Sequence, residues 1–99
     1  MIRHVSCLTL RPDTTDEQRA AVLDALAQMP KLIPEVRSYS FGFDLGLGEG
    51  NATLAVIAEF YDEAGYLAYR DHPDHLGIVG SMIKPLLTGR AALQYAVEG

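Results

Sequence analysis

Apolar and polar residues alternate along four segments of the chain, as they do along β-strands, where successive side chains point to opposite faces of a sheet. The four segments are residues 2–11, 36–45, 52–61 and 90–98. The third segment is apolar on both faces, with Leu54 and Val56 on one and Ala55 and Ile57 on the other. The pattern therefore predicts four strands in a sheet that is apolar on both sides.

Between the first two strands, apolar residues recur at the spacing of an α-helix. They are Val22, Leu23, Leu26 and Met29. The residues available for a capping box at the start of this helix are Thr14, Thr15, Glu17 and Gln18. Because proline interrupts a helix, we predict that Pro30 and Pro34 end this one.

A second helical stretch precedes the last strand. Asp62 is placed to cap it, and His72 interrupts it, because the proline that follows disfavours helical backbone in the residue before it. Pro73 also suits the first turn of a new helix, which we predict to continue to Ile83. The predicted order is therefore strand, helix, strand, strand, helix, strand.

This order is that of a ferredoxin-like α+β domain with βαββαβ topology and an antiparallel four-stranded sheet, formed as a single domain by residues 1–99. Right-handed crossovers place both helices on one face of the sheet and leave the other face bare. The residues assigned to the bare face are Val5, Cys7, Tyr39, Phe41, Phe43, Ala55 and Ile57. Since a large exposed apolar patch usually marks a partner surface, we predict a homodimer that packs through this helix-free face.

The formal net charge of −5 opposes binding to phosphates, so we expect neither nucleic acid nor an anionic membrane as a partner. The sequence lacks an apolar run near the roughly 20 residues that span a bilayer, and its start lacks the apolar core of a signal peptide. We therefore expect a cytoplasmic protein. The lone cysteine, Cys7, lies in the first strand, where we predict a buried and inert thiol.

Four polar residues are candidates for chemistry: His4, Tyr69, His72 and His75. Histidine exchanges protons near neutral pH, and a tyrosine hydroxyl can hold a developing oxyanion by hydrogen bonding. A pocket between the sheet and the helices can bring all four together. Each also has a structural interpretation, which the spacing by itself favours: His72 as a helix cap or turn residue, and Tyr69 and His4 as core residues.

Other chemistries have weaker support. His72, Asp74 and His75 are metal-ligand types, but a second ligand pair at the usual spacing is missing, so we predict no metal and no cofactor. The glycines of residues 46–50 precede a strand rather than a helix, which favours a plain loop over a phosphate site. Cys7 has no activating base nearby in sequence, so nucleophilic catalysis is not indicated.

Several of these segments resemble the stress-responsive dimeric α/β barrel family. They are Ile2-Arg3-His4-Val5, residues 14–18, residues 33–36, Asp44-Leu45-Gly46 and above all Tyr69 to His75. The resemblance spans nearly the whole chain, and the histidine near the start together with the His-Pro-x-His segment is its more specific part. It implies a dimer in which two sheets pack together to form a barrel.

One enzymatic branch of that family, plant olivetolic acid cyclase, closes a linear polyketide by aldol chemistry with a histidine base and a tyrosine that holds the substrate. By that resemblance His75 is the base, Tyr69 is the carbonyl or oxyanion partner, and His4 and His72 are substrate-binding. The implied apolar wall comprises Leu23, Leu26, Leu54, Val56, Ile78 and Val79. The cyclase carries a histidine where this chain has Leu54 and aromatic residues where it has Leu23 and Leu26, so a more aliphatic pocket is expected.

We therefore predict a homodimer that binds or transforms an apolar small molecule bearing a carbonyl group, with polyketide-cyclase-like acid-base chemistry as the sharpest form of this prediction. Two alternatives stay open at the level of sequence. One is a non-catalytic stress-response dimer in which the histidines are structural. The other is a monooxygenase, cofactor-free or haem-linked, of the related barrel families, since one fold hosts several activities.

Overall fold

The computed structural model describes residues 1–98, and it has the predicted ferredoxin-like α+β architecture. The elements, in chain order, are β1 (Ile2–Leu10), α1 (Asp16–Leu32), β2 (Ser38–Phe43), β3 (Leu54–Phe60), α2 (Glu63–Asp71), α3 (Pro73–Ile78), a π-helix (Val79–Ile83), a 3₁₀ turn (Lys84–Leu86) and β4 (Leu87–Ala96). The strands form one sheet in the order β2-β3-β1-β4, and every neighbouring pair is antiparallel.

The predicted capping box starts α1. The Thr15 hydroxyl accepts a hydrogen bond from the Gln18 backbone N–H at 3.1 Å, and the Gln18 side chain accepts one from the Thr15 backbone N–H at 2.9 Å. Thr14 has a different role, because its hydroxyl donates to the Arg11 carbonyl at 2.6 Å. Two donors that the first helical turn leaves without partners are thereby satisfied.

The predicted end of α1 at Pro30 is wrong, because the helix continues through Pro30 to Leu32. The proline removes one backbone donor, but the turn is still closed by a hydrogen bond from the Ile33 N–H to the Met29 carbonyl at 2.9 Å. Met29 and Ile33 are 1% and 0% exposed. Their burial outweighs the single hydrogen bond that the proline cannot make.

The second helical stretch begins and breaks as predicted. The Asp62 carboxylate accepts a hydrogen bond from the Gly65 N–H at 2.9 Å, and the break falls at His72, between α2 and α3. The stretch then passes through the π-helix, whose widened turn is closed by a hydrogen bond from the Lys84 N–H to the Val79 carbonyl. Such turns are rare and recur at functional sites.

The register of the sheet corrects the predicted face of β2. Its three aromatic residues pair directly with helix-facing residues of β3, in the order Tyr39 with Ala58, Phe41 with Val56 and Phe43 with Leu54. Directly paired residues of antiparallel strands point to the same face. Tyr39, Phe41 and Phe43 therefore lie under the helices and not on the helix-free face.

The helix-free face keeps an apolar centre without them. It comprises Val5, Cys7, Ala55, Ile57 and Leu93, which the pairing of β1 with β3 and β4 places side by side. Beside it, the Arg3 guanidinium donates to the Glu59 carboxylate at 2.9 Å and to the Tyr95 hydroxyl at 2.9 Å. Cys7 belongs to this face and is half-buried, so the prediction of a buried thiol is wrong for the single chain.

The core lies between the sheet and the helices in two clusters. One joins α1 to the centre of the sheet, and the other joins α1 to α2 around Phe60. The largest fully buried side chains are Phe60, Leu26, Met29, Ile33, Leu54 and Val22. Within residues 1–98, every helix is too short or too polar to cross a lipid bilayer.

Loss of the capping box is expected to weaken α1. Thr15→Ala should lower the free energy of unfolding by about 1 kcal/mol, because it removes the acceptor for the Gln18 N–H. Thr15→Ser keeps the hydroxyl and serves as the matched control, with near wild-type stability. Urea denaturation followed by circular dichroism measures both, and equal stability of the two variants would contradict this role.

Candidate functional site

A cavity of about 360 Å³ lies between the helix-facing side of the sheet and the stretch from α2 to the 3₁₀ turn. This volume is within the range of small-molecule sites, about 300–1,000 Å³. Its apolar wall consists of Leu8, Leu26, Met29, Val56, Val79, Ile83 and Leu87. Its polar residues are His4, Ser6, Tyr39, Tyr66, Tyr69, Arg70, His75, Lys84 and Arg90.

His4 is held at the floor of the cavity by the neighbouring strand. It is 6% exposed, and the side-chain amide of Gln94, its direct partner on β4, donates a hydrogen bond to Nδ1 at 2.8 Å. A neutral His4 that accepts at Nδ1 carries its proton on Nε2. Burial lowers the pKa of His4, followed by the positive charge of Arg90 and by repulsion from His75 when that ring is protonated, so the His4 ring is neutral at physiological pH.

Tyr69 is the most enclosed polar group of the site. It is 3% exposed, and its hydroxyl lies 3.0 Å from that of Tyr39 in a hydrogen bond that either group can donate. Burial raises the pKa of both tyrosines, so both hydroxyls keep their protons at neutral pH. When Tyr39 is the donor, the Tyr69 proton is available to a ligand in the cavity.

One ring nitrogen of His75 is held by a hydrogen bond to the backbone, and the other has no such partner within residues 1–98. Its Nδ1 lies 3.0 Å from the Arg70 carbonyl, which can only accept, so Nδ1 carries the proton and Nε2 has the lone pair. Burial is the main cause that lowers the pKa of His75, partly opposed by the hydrogen bond to that carbonyl. A neutral imidazole oriented in this way can act as a general base.

The aromatic rings of the site form one cluster of tilted rings that line the cavity. The ring centroids of Tyr69 and His75 are 4.2 Å apart, those of His4 and Tyr66 are 5.1 Å apart, and those of His4 and Tyr69 are 6.3 Å apart. A base, a hydroxyl donor and a second imidazole thus share one apolar chamber. Such a set can remove a proton from a bound molecule and donate a hydrogen bond to its oxygen.

The structure brings six of the ten predicted site residues together around the cavity. These six are His4, Leu26, Val56, Tyr69, His75 and Val79. The lining does not include Leu23, Leu54, Ile78 or His72. Leu54 is instead packed in the core, at 1% exposure.

His72 has the role that its structural interpretation gave it. Its Nδ1 accepts a hydrogen bond from the Asp74 N–H at 3.1 Å, which caps the start of α3. The prediction that His72 joins the other three residues in a pocket is wrong, because this hydrogen bond directs its ring toward the helix end. The proline that follows it explains the turn.

Tyr39, Tyr66 and the three cations of the lining were not predicted as site residues. Tyr39 was assigned to the wrong face, and only the pairing of β2 with β3 corrects that. The alternation along β1 did contain a signal for Ser6, which follows His4 by two residues on the same face. Arg70, Lys84 and Arg90 come from three separate elements, so their spacing in sequence carries no signal.

Metal binding has no preformed centre within residues 1–98. In that part of the chain, no three His, Cys, Asp or Glu side chains lie close enough to share an ion. His72 and Asp74 do approach each other, at 3.8 Å between Nδ1 and a carboxylate oxygen, but they form only a pair.

Comparison with known proteins agrees with the fold described above. The model of the stress responsive A/B barrel domain family matches residues 2–97. A dimeric ferredoxin-like protein of unknown function from Thermobifida fusca is 42% identical, with a TM-score of 0.88 over 97% of this chain and 90% of that one. No curated protein matches the sequence.

More distant structures share the fold. A protein of the same family from Mesorhizobium loti is 23% identical, with a TM-score of 0.82 over 99% of this chain and 97% of that one. The hydroxynitrile lyase of Passiflora edulis is 19% identical, with a TM-score of 0.85 over 98% of this chain and 93% of that one.

The lowered pKa values of His4 and His75 predict a pH dependence of stability. Below the ordinary histidine value of 6.5 the unfolded chain binds protons that the folded chain excludes, so the free energy of unfolding falls as the pH decreases through this window. The double variant His4→Gln, His75→Gln should show a flatter dependence. Urea denaturation between about pH 5 and pH 8 avoids most carboxyl titration. An unchanged slope in the double variant would count against burial of neutral rings.

Proposed function

The chain belongs to the stress-responsive A/B barrel domain family, and from that premise we propose that it is a homodimer whose cavity binds an apolar, carbonyl-bearing small molecule and transforms it by acid-base chemistry. One observation carries the chemical part of the proposal. Tyr69 and His75 stand side by side on the cavity wall, and His75 is held by a backbone carbonyl that leaves its other nitrogen free.

The proposed reaction begins with proton removal from the carbon beside the carbonyl. Nε2 of His75 takes the proton, and the electron pair of the broken C–H bond moves into an enolate. The negative charge on the enolate oxygen is met by the Tyr69 hydroxyl, and Tyr39 in turn donates to Tyr69. In a cyclisation the enolate carbon then attacks a second carbonyl of the same molecule, and His75 returns its proton to the new alkoxide.

The surroundings favour this step. The apolar wall of the cavity lowers the local dielectric, which strengthens the hydrogen bond from Tyr69 to the enolate oxygen. Burial lowers the pKa of His75, so the base is unprotonated across the neutral range. The ring of His4 lies 6.3 Å from that of Tyr69 and carries a proton on Nε2, which suits a second contact with the substrate.

The dimer is proposed to form through the helix-free face. The protein from Thermobifida fusca, at 42% identity, is dimeric, which supports dimerisation of this chain. The apolar centre of the face around Ile57 and Val5 is only half-buried in the single chain, so its burial against a second copy is favourable. The Arg3–Glu59 pair at its side can set the orientation of the two copies.

The hydroxynitrile lyase of Passiflora edulis supports the enzymatic part only in general terms. At 19% identity, the similarity between that enzyme and this chain extends only to the fold. Its name nevertheless shows that a protein with this fold can be an enzyme that acts on a small molecule. The non-catalytic alternative therefore becomes one outcome of the experiment on the site.

Enolate formation can be tested without knowledge of the natural substrate. Benzylacetone is incubated with the protein in heavy water, and loss of the proton signals beside its carbonyl is followed by NMR. His75→Gln should lower the protein-dependent exchange rate by about 10²-fold or more, and Tyr69→Phe by about 10²-fold. The rate should also fall as the pH decreases below the ordinary histidine value of 6.5, because protonated His75 cannot act as a base.

His72→Asn is the matched control for this experiment. It removes a histidine that lies outside the cavity lining and keeps a residue able to cap α3. Its exchange rate should equal that of the wild type. If His75→Gln and Tyr69→Phe change only the melting temperature, the residues are structural and the non-catalytic dimer is the better description.

Dimerisation through the helix-free face can be tested separately. Ile57→Glu places a charge at the apolar centre of that face and should yield a monomer in sedimentation equilibrium, because a buried unpaired carboxylate is costly. Leu76→Glu is the matched control, since Leu76 is on α3 and 56% exposed. A dimer that survives Ile57→Glu unchanged would locate the interface elsewhere.

A further inference from the structure

The mouth of the cavity carries three cations in a chain that is acidic overall. Arg70, Lys84 and Arg90 all line the cavity and are all exposed, while the chain as a whole has 8 Lys and Arg against 13 Asp and Glu. None of the described residues that line the cavity is an aspartate or a glutamate. The local charge at the opening is therefore opposite to that of the molecule.

Two of these cations lack an acidic partner. Arg70 is neutralised by Asp71, to which it donates two hydrogen bonds at 2.9 and 3.0 Å. Within residues 1–98, Lys84 and Arg90 have no carboxylate within ion-pair distance. Two positive charges at the mouth are thus available to a ligand.

The backbone places Arg90 directly beside the apolar interior. Arg90 pairs with Leu8 across β1 and β4, so both lie on the helix-facing side, and Gln94, the partner of His4, follows on the same face of β4. Lys84 reaches the opening from the 3₁₀ turn, next to Ile83 of the apolar wall. The influence of Arg90 extends inside, since its positive charge contributes to lowering the pKa of both His4 and His75.

We propose that the ligand of this cavity is an amphipathic organic acid, whose apolar body lies against Leu26, Val56 and Val79 and whose carboxylate is bound at the mouth by Arg90 and Lys84. This inference rests on the proposed function and defines the class of molecule that the same cavity takes. An arginine matches a carboxylate with paired donors, and a lysine adds a point charge. When the carboxylate of such a molecule is bound at the mouth, its other end extends toward Tyr69 and His75.

The test compares two probes that differ only at one end. Octanoate and octanol have the same chain length, and only the first carries a negative charge. Isothermal titration calorimetry should give octanoate at least about tenfold tighter binding, because its carboxylate forms charge-assisted hydrogen bonds at the mouth. The imidazole signals of His4 and His75 in NMR spectra report whether each probe enters the cavity.

The preference should depend on the two free cations. The double variant Lys84→Met, Arg90→Gln should bind both probes with similar affinity, and each single variant should show an intermediate preference. Both residues are exposed, so folding should not be affected. Arg37→Gln is the matched control: it removes one positive charge from a residue that stacks on Tyr61 outside this cavity, and it should keep the full preference.

The outcomes separate the two proposals. Equal binding of octanoate and octanol, with shifts of the imidazole signals, would overturn the acidic-ligand inference and leave the apolar cavity of the proposed function intact. A preference for octanoate that persists in the double variant would also overturn the inference. Failure of both probes to bind or to shift these signals would count against both proposals.

Discussion

The antiparallel pairing of β1 with β3 on one side and β4 on the other is the constraint on which the rest of the molecule depends. It decides which side chains share a face, because directly paired residues point the same way. His4 therefore lies beside Gln94, and Leu8 lies beside Arg90. A shift of one residue would move every one of these side chains to the other face and would remove the cavity floor.

The cavity also depends on a balance between burial and hydrogen bonding. His4, Tyr69 and His75 would be costly inside an apolar core without partners, and each one has a partner: the Gln94 amide, the Tyr39 hydroxyl and the Arg70 carbonyl. The hydrogen-bond partners of the two histidines set the tautomers of the rings, and burial keeps both rings neutral. These hydrogen bonds reduce the cost of burying the polar residues, and they leave one nitrogen of His75 free for chemistry.

The two faces of the sheet differ in what covers them. On the helix side, α1 and the stretch from α2 to the π-helix cover the core. The cavity between these elements and the sheet leaves room for a ligand. On the helix-free side, the apolar residues remain half-buried and are flanked by the Arg3–Glu59 pair. An apolar surface of this kind favours a symmetric partner. The proposed dimer contact would lie on the face of the sheet opposite to the cavity.

The element order, the cap at Thr15 and the break at His72 were accessible from the sequence, because periodicity, capping and proline geometry are local properties. Of the three histidines predicted as site residues, His4 and His75 line the cavity. Three features could not be predicted from the sequence: the face on which Tyr39 lies, the continuation of α1 past Pro30, and the cations at the mouth of the cavity. They depend on register and on contacts between residues far apart in the chain: Tyr39 meets Tyr69 only because β2 pairs with β3 in one alignment. The sequence by itself determined the fold and the types of chemistry available. Only the tertiary structure decided which of those groups share a cavity, since long-range packing selects among alignments that local patterns leave equally good.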